Sequence, residues 1–181
     1  MTELPVPSTL LITGIMASGK STVAQRLAER LPKSVHLRGD LFRRMIVSGR
    51  EEMQPPLTDA AFEQLRLRYR LAALTAHEYC AAGFTVVYQD IILGSLLHEV
   101  VAMHCEHPLY VVVLCPSPES ALQRDATRHK QAYTGWTPHA LDEELRTNTP
   151  RLGLWIDNSA QTVEETAAAI FDGLDRALIS P

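Results

Sequence analysis

A lysine and a serine standing together behind two glycines at fixed spacing carry the clearest chemistry in this chain. The run is Gly14-Ile15-Met16-Ala17-Ser18-Gly19-Lys20-Ser21, a complete G-x-x-x-x-G-K-S pattern, followed by Thr22. Gly14 and Gly19 let the backbone curl so that the N–H groups of Ile15, Met16, Ala17 and Ser18 converge on an anion, and a helix start adds partial positive charge. Lys20 would reach the β- and γ-phosphates, and the Ser21 hydroxyl would ligate Mg²⁺. The pattern predicts a binder of a nucleoside triphosphate with Mg²⁺, provided that a strand precedes the loop and a helix follows it.

Other groups suit the same chemistry. In His36-Leu37-Arg38-Gly39-Asp40-Leu41-Phe42-Arg43-Arg44, a carboxylate precedes two guanidinium groups. Asp40 can orient a hydroxyl and take its proton late, or cap the next helix, and one carboxylate can do both. Gln89-Asp90 ends a strand-like run; there Asp90 can hold Mg²⁺ directly or through water, and Gln89 can face an acceptor. Arg124 and Arg128 lie four apart, on one helix face, and run into Lys130. Such a pair can fork onto a γ-phosphate, or simply favour a helix C-terminus. Arg43, Arg44, Arg50, Arg66 and Arg70 could bind an anionic acceptor, Arg43 and Arg44 above all. Nearby Glu51, Glu52, Asp59 and Glu63 could equally tie them up in surface pairs. Asp157 and Asn158 close the last strand-like run, where turn chemistry also favours them. His98-Glu99 and the stretch from His104 to His107 lack the H-E-x-x-H spacing, so no metal site is expected there.

These groups need a scaffold, and the apolar pattern provides one. Thr9–Thr13 reads as a buried strand, and Val23, Leu27 and Leu31 recur at helical spacing until Pro32. Further strand-like runs are Ser34–Leu37, Phe84–Gln89, Leu109–Leu114 and Gly153–Ile156, alternating with helical patterns. Thr58 or Asp59 opens a long helix with Phe62, Leu65, Tyr69, Ala73, Ala76 and Cys80 on one face. Ser95, Ser117 and Thr137 are placed to cap helices, and Thr162-Val163-Glu164-Glu165 is a capping box for a last helix with Ile170, Leu174 and Leu178 inward. The alternation predicts an α/β fold: a five-stranded parallel sheet with helices on both faces, in three layers.

The motif and this layout together resemble the P-loop small-molecule kinases of the nucleoside-monophosphate-kinase-like group, among them gluconate kinase, chloramphenicol phosphotransferase and zeta-toxin-like kinases. The resemblance implies a P-loop NTPase fold in a single domain, with a helical acceptor insert at about 40–82 and a short lid at about 124–140. It implies that Asp40 contacts the receiving hydroxyl, that Arg124 lies near the adenine and Arg128 near the transferring phosphate, and that Asp157 and Asn158 border the base. Lys20, Asp40 and Arg128 would then be catalytic, and Arg43, Arg44, Gln89 and Asp90 would line the acceptor site. The activity implied is transfer of the γ-phosphoryl of Mg·ATP to a hydroxyl of a sugar acid, an antibiotic or a nucleotide-sugar. Asp90-Ile91-Ile92-Leu93-Gly94 departs from the Asp-Gly-x-Pro-Arg of adenylate kinases, which argues against a nucleoside-monophosphate acceptor. A nucleoside or nucleotide kinase, or a slow nucleotide-dependent switch, are the alternatives.

Bulk properties set the outer limits. At 181 residues, 46% hydrophobic and 21% charged, the chain suits one soluble α/β domain. A net charge of −4 disfavours a general grip on nucleic acid. No apolar run approaches the ~18–20 residues of a membrane span. Three irregularly spaced cysteines and no leader before the first strand fit a cytoplasmic protein with reduced thiols.

Overall fold

A computed structural model describes residues 4–104, 106–126 and 135–179. β1 (Thr9–Gly14) lies at the centre of the sheet, with parallel β3 (Thr85–Gln89) on one side and β4 (Leu109–Leu114) on the other. β2 (Ser34–Arg38) extends the sheet beyond β3, and β5 (Leu154–Ile156) beyond β4, giving the order β2-β3-β1-β4-β5. The expected five parallel strands are present. A sixth, β6 (Leu178–Ile179), adds antiparallel to β4. Leu178, expected on the buried face of the last helix, is in that strand and exposed. Helix α8 (Leu174–Ala177) ends there because the chain turns extended to pair with Leu109 and Tyr110.

The three layers follow from the alternation of side chains along the strands. On one face Leu11, Val86, Tyr88, Val111 and Val113 pack against α3 (Asp59–Ala81) and α4 (Leu96–Ala102) through Tyr69, Ala72, Ala76, Leu97 and Val100. On the other, Leu10, Ile12, Val87, Val112 and Leu114 meet α1 (Lys20–Glu29) and α7 (Val163–Asp172) through Val23, Leu27, Ala167 and Ile170. The crossover helices force the strands into parallel alignment, so the carboxyl ends of β1, β2 and β3 open onto one edge.

The caps hold as the sequence indicates at most positions. Thr58 accepts from Ala61 N–H, Thr137 from Ala140 N–H at the head of α6 (Pro138–Glu143), and Thr162 and Glu165 close their box. Ser117 Oγ accepts from Ser120 N–H at 3.2 Å at the start of α5 (Pro118–Ala126). Ser95 departs from expectation: its backbone is already helical and its side chain caps nothing. The insert 40–82 consists of α2 (Asp40–Arg44), an irregular loop and α3. At its far side Trp136 Nε1 donates to the Met53 carbonyl at 2.9 Å, joining the chain before α6 to the insert loop. No helix among the described residues is long and apolar enough to cross a membrane.

Candidate active site

The loop between β1 and α1 has the geometry its glycines foretold. Gly14 sits at φ +142°, and a Cβ there would stand 2.2 Å from the Leu114 carbonyl of β4, so only glycine fits. Ala17 takes φ 58°, a left-handed turn uncommon outside glycine. Gly19, at φ 94°, occupies the N-cap position of α1. Lys20 Nζ donates to the carbonyls of Gly14 (3.0 Å) and Ile15 (2.6 Å) and lies 3.4 Å from Ser18 Oγ, which pins the ammonium over the loop. Ser21 and Thr22 are exposed on the first turn of α1, while Ile15, Ala17 and Ser18 are buried and Met16 is half-buried.

Beside the loop, the segment after β5 folds against it. Asn158 Nδ2 donates to the Ser18 carbonyl at 3.0 Å. Arg124 Nη2 donates to the Asn158 carbonyl at 2.6 Å, and its Nη1 reaches the Ser18 carbonyl at 3.4 Å. Gly19, Thr22, Arg124, Asn158, Gln161 and Thr162 border a hollow of about 310 Å³. Asn158 borders this hollow, and Asp157 does not. Its Oδ1 accepts from Ser159 N–H (2.9 Å) and Ser159 Oγ (2.5 Å), which holds its carboxyl below the usual range. Asp157 closes a turn, the reading that turn chemistry offered. Arg128 and Lys130 lie outside the described residues.

At the ends of β2 and β3 stands a second group of charges. Gly39 N–H donates to the Gln89 carbonyl at 3.1 Å, and a Cβ on Gly39 would come within 1.9 Å of Asp90 Oδ2. This close approach packs Gly39, the residue before Asp40 at the start of α2, against Asp90. Asp40 makes no side-chain cap bond; its carboxylate pairs with Arg44 at 2.5 Å instead. Arg43 turns to its own loop, donating to the Glu51 carbonyl at 2.7 Å and standing 3.3 Å from Glu52. The two arginines expected to reach an acceptor are therefore engaged with local partners, as short-range pairing favours. Gln89 is buried on β3.

Asp90 is itself almost wholly enclosed. Its Oδ1 accepts from Ile91 N–H and lies 2.8 Å from Arg68 Nη2, and its Oδ2 accepts from Tyr88 OH at 3.2 Å. Burial pushes the Asp90 carboxyl up, opposed by Arg68, these hydrogen bonds and the nearby Lys20. With both oxygens so engaged, contact with Mg²⁺ through water suits Asp90 better than a direct bond, whereas the exposed Ser21 hydroxyl suits direct ligation. Among the described residues no group of three or more His, Cys, Asp or Glu side chains could hold a metal ion.

Arg68 is the residue that sequence reasoning missed. A signal existed: Ala61, Leu65, Arg68, Ala72 and Ala76 recur at steps of three or four, which places a guanidinium on an otherwise apolar stripe of α3. The histidine-rich stretch lies elsewhere: His104 and His107 stand with His77 and Thr9 around a cavity of about 30 Å³ at the amino end of the strands.

The chain belongs to an AAA-domain family, whose model matches residues 10–150. No curated protein matches the sequence. Among solved structures, an unliganded sugar kinase from Janibacter sp. superposes with a TM-score of 0.69 at 20% identity, over 96% of each chain. The APS kinase of Mycobacterium tuberculosis, in complex with AMPPNP and APS, gives 0.66 at 20% identity, over 95% of this chain and 99% of that one. A gluconokinase from Sinorhizobium meliloti gives 0.62 at 23% identity, over 94% and 93%. At these identities the likeness is one of fold: the three-layer α/β fold of P-loop kinases.

Proposed function

We propose that this protein transfers the γ-phosphoryl group of ATP to a hydroxyl of a small molecule. One observation carries the reading: the phosphate loop with Lys20 follows β1, and Asp40 and Asp90 follow the adjacent parallel strands β2 and β3, so all three stand along the same edge of the sheet. The loop supplies an anion cradle, Asp40 a carboxylate for the acceptor. The fold neighbours named as a sugar kinase and a gluconokinase support the same class.

In this reading the loop N–H groups and Lys20 hold the phosphates, and the base occupies the hollow beside Asn158 and Arg124. Ser21, with Asp90 through water, would hold Mg²⁺, which supplies charge neutralisation at the phosphates. Asp40 receives the acceptor hydroxyl, held in place by Arg44. As the acceptor oxygen bonds to the γ-phosphorus, the bond to the β,γ-bridging oxygen breaks, ADP leaves, and the hydroxyl proton passes to Asp40. Arg128, if it reaches the γ-phosphate, adds positive charge as the transition state forms.

The test is ADP release from Mg·ATP with pooled acceptors: sugar acids, nucleosides, nucleotides, nucleotide-sugars and aminoglycoside- or amphenicol-type antibiotics. One pool is expected to stimulate release. Asp40→Asn is expected to remove more than nine-tenths of that turnover, about 1.4 kcal/mol or more of barrier, with ATP affinity nearly intact. Flat release across every pool, with ATP still bound, would instead describe a nucleotide-binding switch.

A further inference from the structure

Six arginines, Arg43, Arg44, Arg50, Arg66, Arg68 and Arg70, lie in the insert, and their surroundings sort them. Arg43 and Arg44 are engaged with the insert's own backbone and acids. Arg66 is shared between Glu99 and Glu63. Arg50 and Arg70 are exposed to solvent. Arg68 differs from all of them: its side chain is 11% exposed and its one acidic partner, Asp90, is 3% exposed.

That partnership leaves the guanidinium under-used. Only Nη2 reaches Asp90, at 2.8 Å. Nε is buried without a hydrogen-bond partner among the described residues, as the Nε of the less buried Arg43 also is, and the guanidinium lies 5.4 Å from the centre of the Tyr69 ring. A guanidinium carries five N–H donors in a rigid fork, and leaving Nε buried and unpaired is costly. Asp90 in turn divides its oxygens among Ile91 N–H, Tyr88 OH and Arg68, so its charge is not spent on Arg68 alone. The pair also lies against Gly39, one residue before Asp40.

We propose that Arg68 is the anion-reading residue of the acceptor site, and that the acceptor carries a carboxylate or a phosphate ester beside the hydroxyl that is phosphorylated. The inference rests on the kinase reading above and narrows it. A guanidinium with its Nε unpartnered, paired with Asp90 against the residue before Asp40, fits a planar or tetrahedral oxyanion by two parallel hydrogen bonds. A neutral acceptor of the same shape would leave those donors unpaired, so discrimination against it is large.

The experiment uses matched acceptors: glycerol, glycerate and glycerol 3-phosphate, and glucose, gluconate and glucose 6-phosphate, with nucleosides beside their 5′-monophosphates. The anionic member of a set is expected to exceed its neutral partner at least about 100-fold in kcat/KM, and the carboxylate and phosphate arms tell the two sources apart. Arg68→Lys keeps the positive charge beside Asp90 but loses the fork. It is expected to raise the acceptor KM at least about tenfold, with kcat within about threefold and the KM for ATP unchanged. Equal use of a neutral partner, or an unmoved acceptor KM in Arg68→Lys, overturns the proposal.

A second measurement separates this failure from failure of the kinase reading. With the protein saturated by Mg·AMPPNP, inorganic phosphate and sulfate are titrated by calorimetry. Binding in the wild type that Arg68→Lys abolishes sustains the anion site even where no acceptor turns over. No binding, or binding equal in both proteins, overturns it.

Discussion

The two halves of the sheet edge are built on opposite principles. The phosphate half is made from consecutive residues, and its ligand-facing groups are largely backbone: the curled loop, Lys20 donating to its own carbonyls, Asn158 and Arg124 tied to the Ser18 carbonyl. The half proposed to take the acceptor is assembled from β2, α2, α3 and the end of β3, and side-chain charges hold it together, Arg68 with Asp90 and Arg44 with Asp40. In the first half function depends on backbone conformation, so steric changes should damage it most. In the second it depends on which carboxylate meets which guanidinium, so changes of charge or of carboxylate position should tell.

A methyl group added at one glycine in each half tests the contrast. Gly14→Ala is expected to have the largest effect. The new Cβ meets the Leu114 backbone at 2.2 Å, in a left-handed conformation and against a central strand that cannot yield. Loss of about 3 kcal/mol or more is expected, from strain and overpacking together, with ATP binding lost as well. Urea unfolding and nucleotide titration check both. A variant that still binds ATP with wild-type affinity would break the comparison at its strongest point.

Gly39→Ala should act differently. Gly39 has φ −62°, an ordinary helical value, so alanine brings no backbone strain. What it meets is the Asp90 carboxylate, 1.9 Å from the new Cβ. Either that carboxylate or the start of α2 must shift, and Asp40 and Arg68 are the groups affected. The expected result is a loss of acceptor kcat/KM of at least about tenfold, roughly 1.4 kcal/mol, with ATP affinity within about twofold of wild type. Equal losses for both substrates would mean that the halves are not separable.

The same contrast decides what could be read in advance. The phosphate loop was legible because its chemistry lies in one contiguous motif with its strand and helix beside it, and the five parallel strands of the core followed from apolar runs alternating with helical patterns. Asp40 was legible as the acid after a strand. The partners of Arg43 were not, since both Glu51 and Glu52 and an acceptor were plausible sinks and only the fold of the insert loop chooses. Arg68 and Asp90 are 22 positions apart, and no local pattern links them before α3 is laid on the sheet. Asp157 shows the reverse case, where the local turn bond that the residue type favours is the one that forms.

The smallest expected effect falls at the border of the phosphate half. Thr162 lines the hollow beside Asn158 and caps α7, accepting from Glu165 N–H at 3.2 Å and donating to Glu165 Oε2 at 2.8 Å. Thr162→Ala removes both bonds from an exposed helix start, which costs about 1 kcal/mol of stability. Because α7 packs on α1 through Ala167 and Ile170 well below the cap, the phosphate loop should keep its shape. Chemical denaturation should report the loss while the KM for acceptor stays unmoved. A small rise in the KM for ATP would mean that the threonine hydroxyl borders the bound base directly. An acceptor KM that moved with it would mean that strain at the base hollow crosses the sheet edge, against the independence the two halves otherwise share.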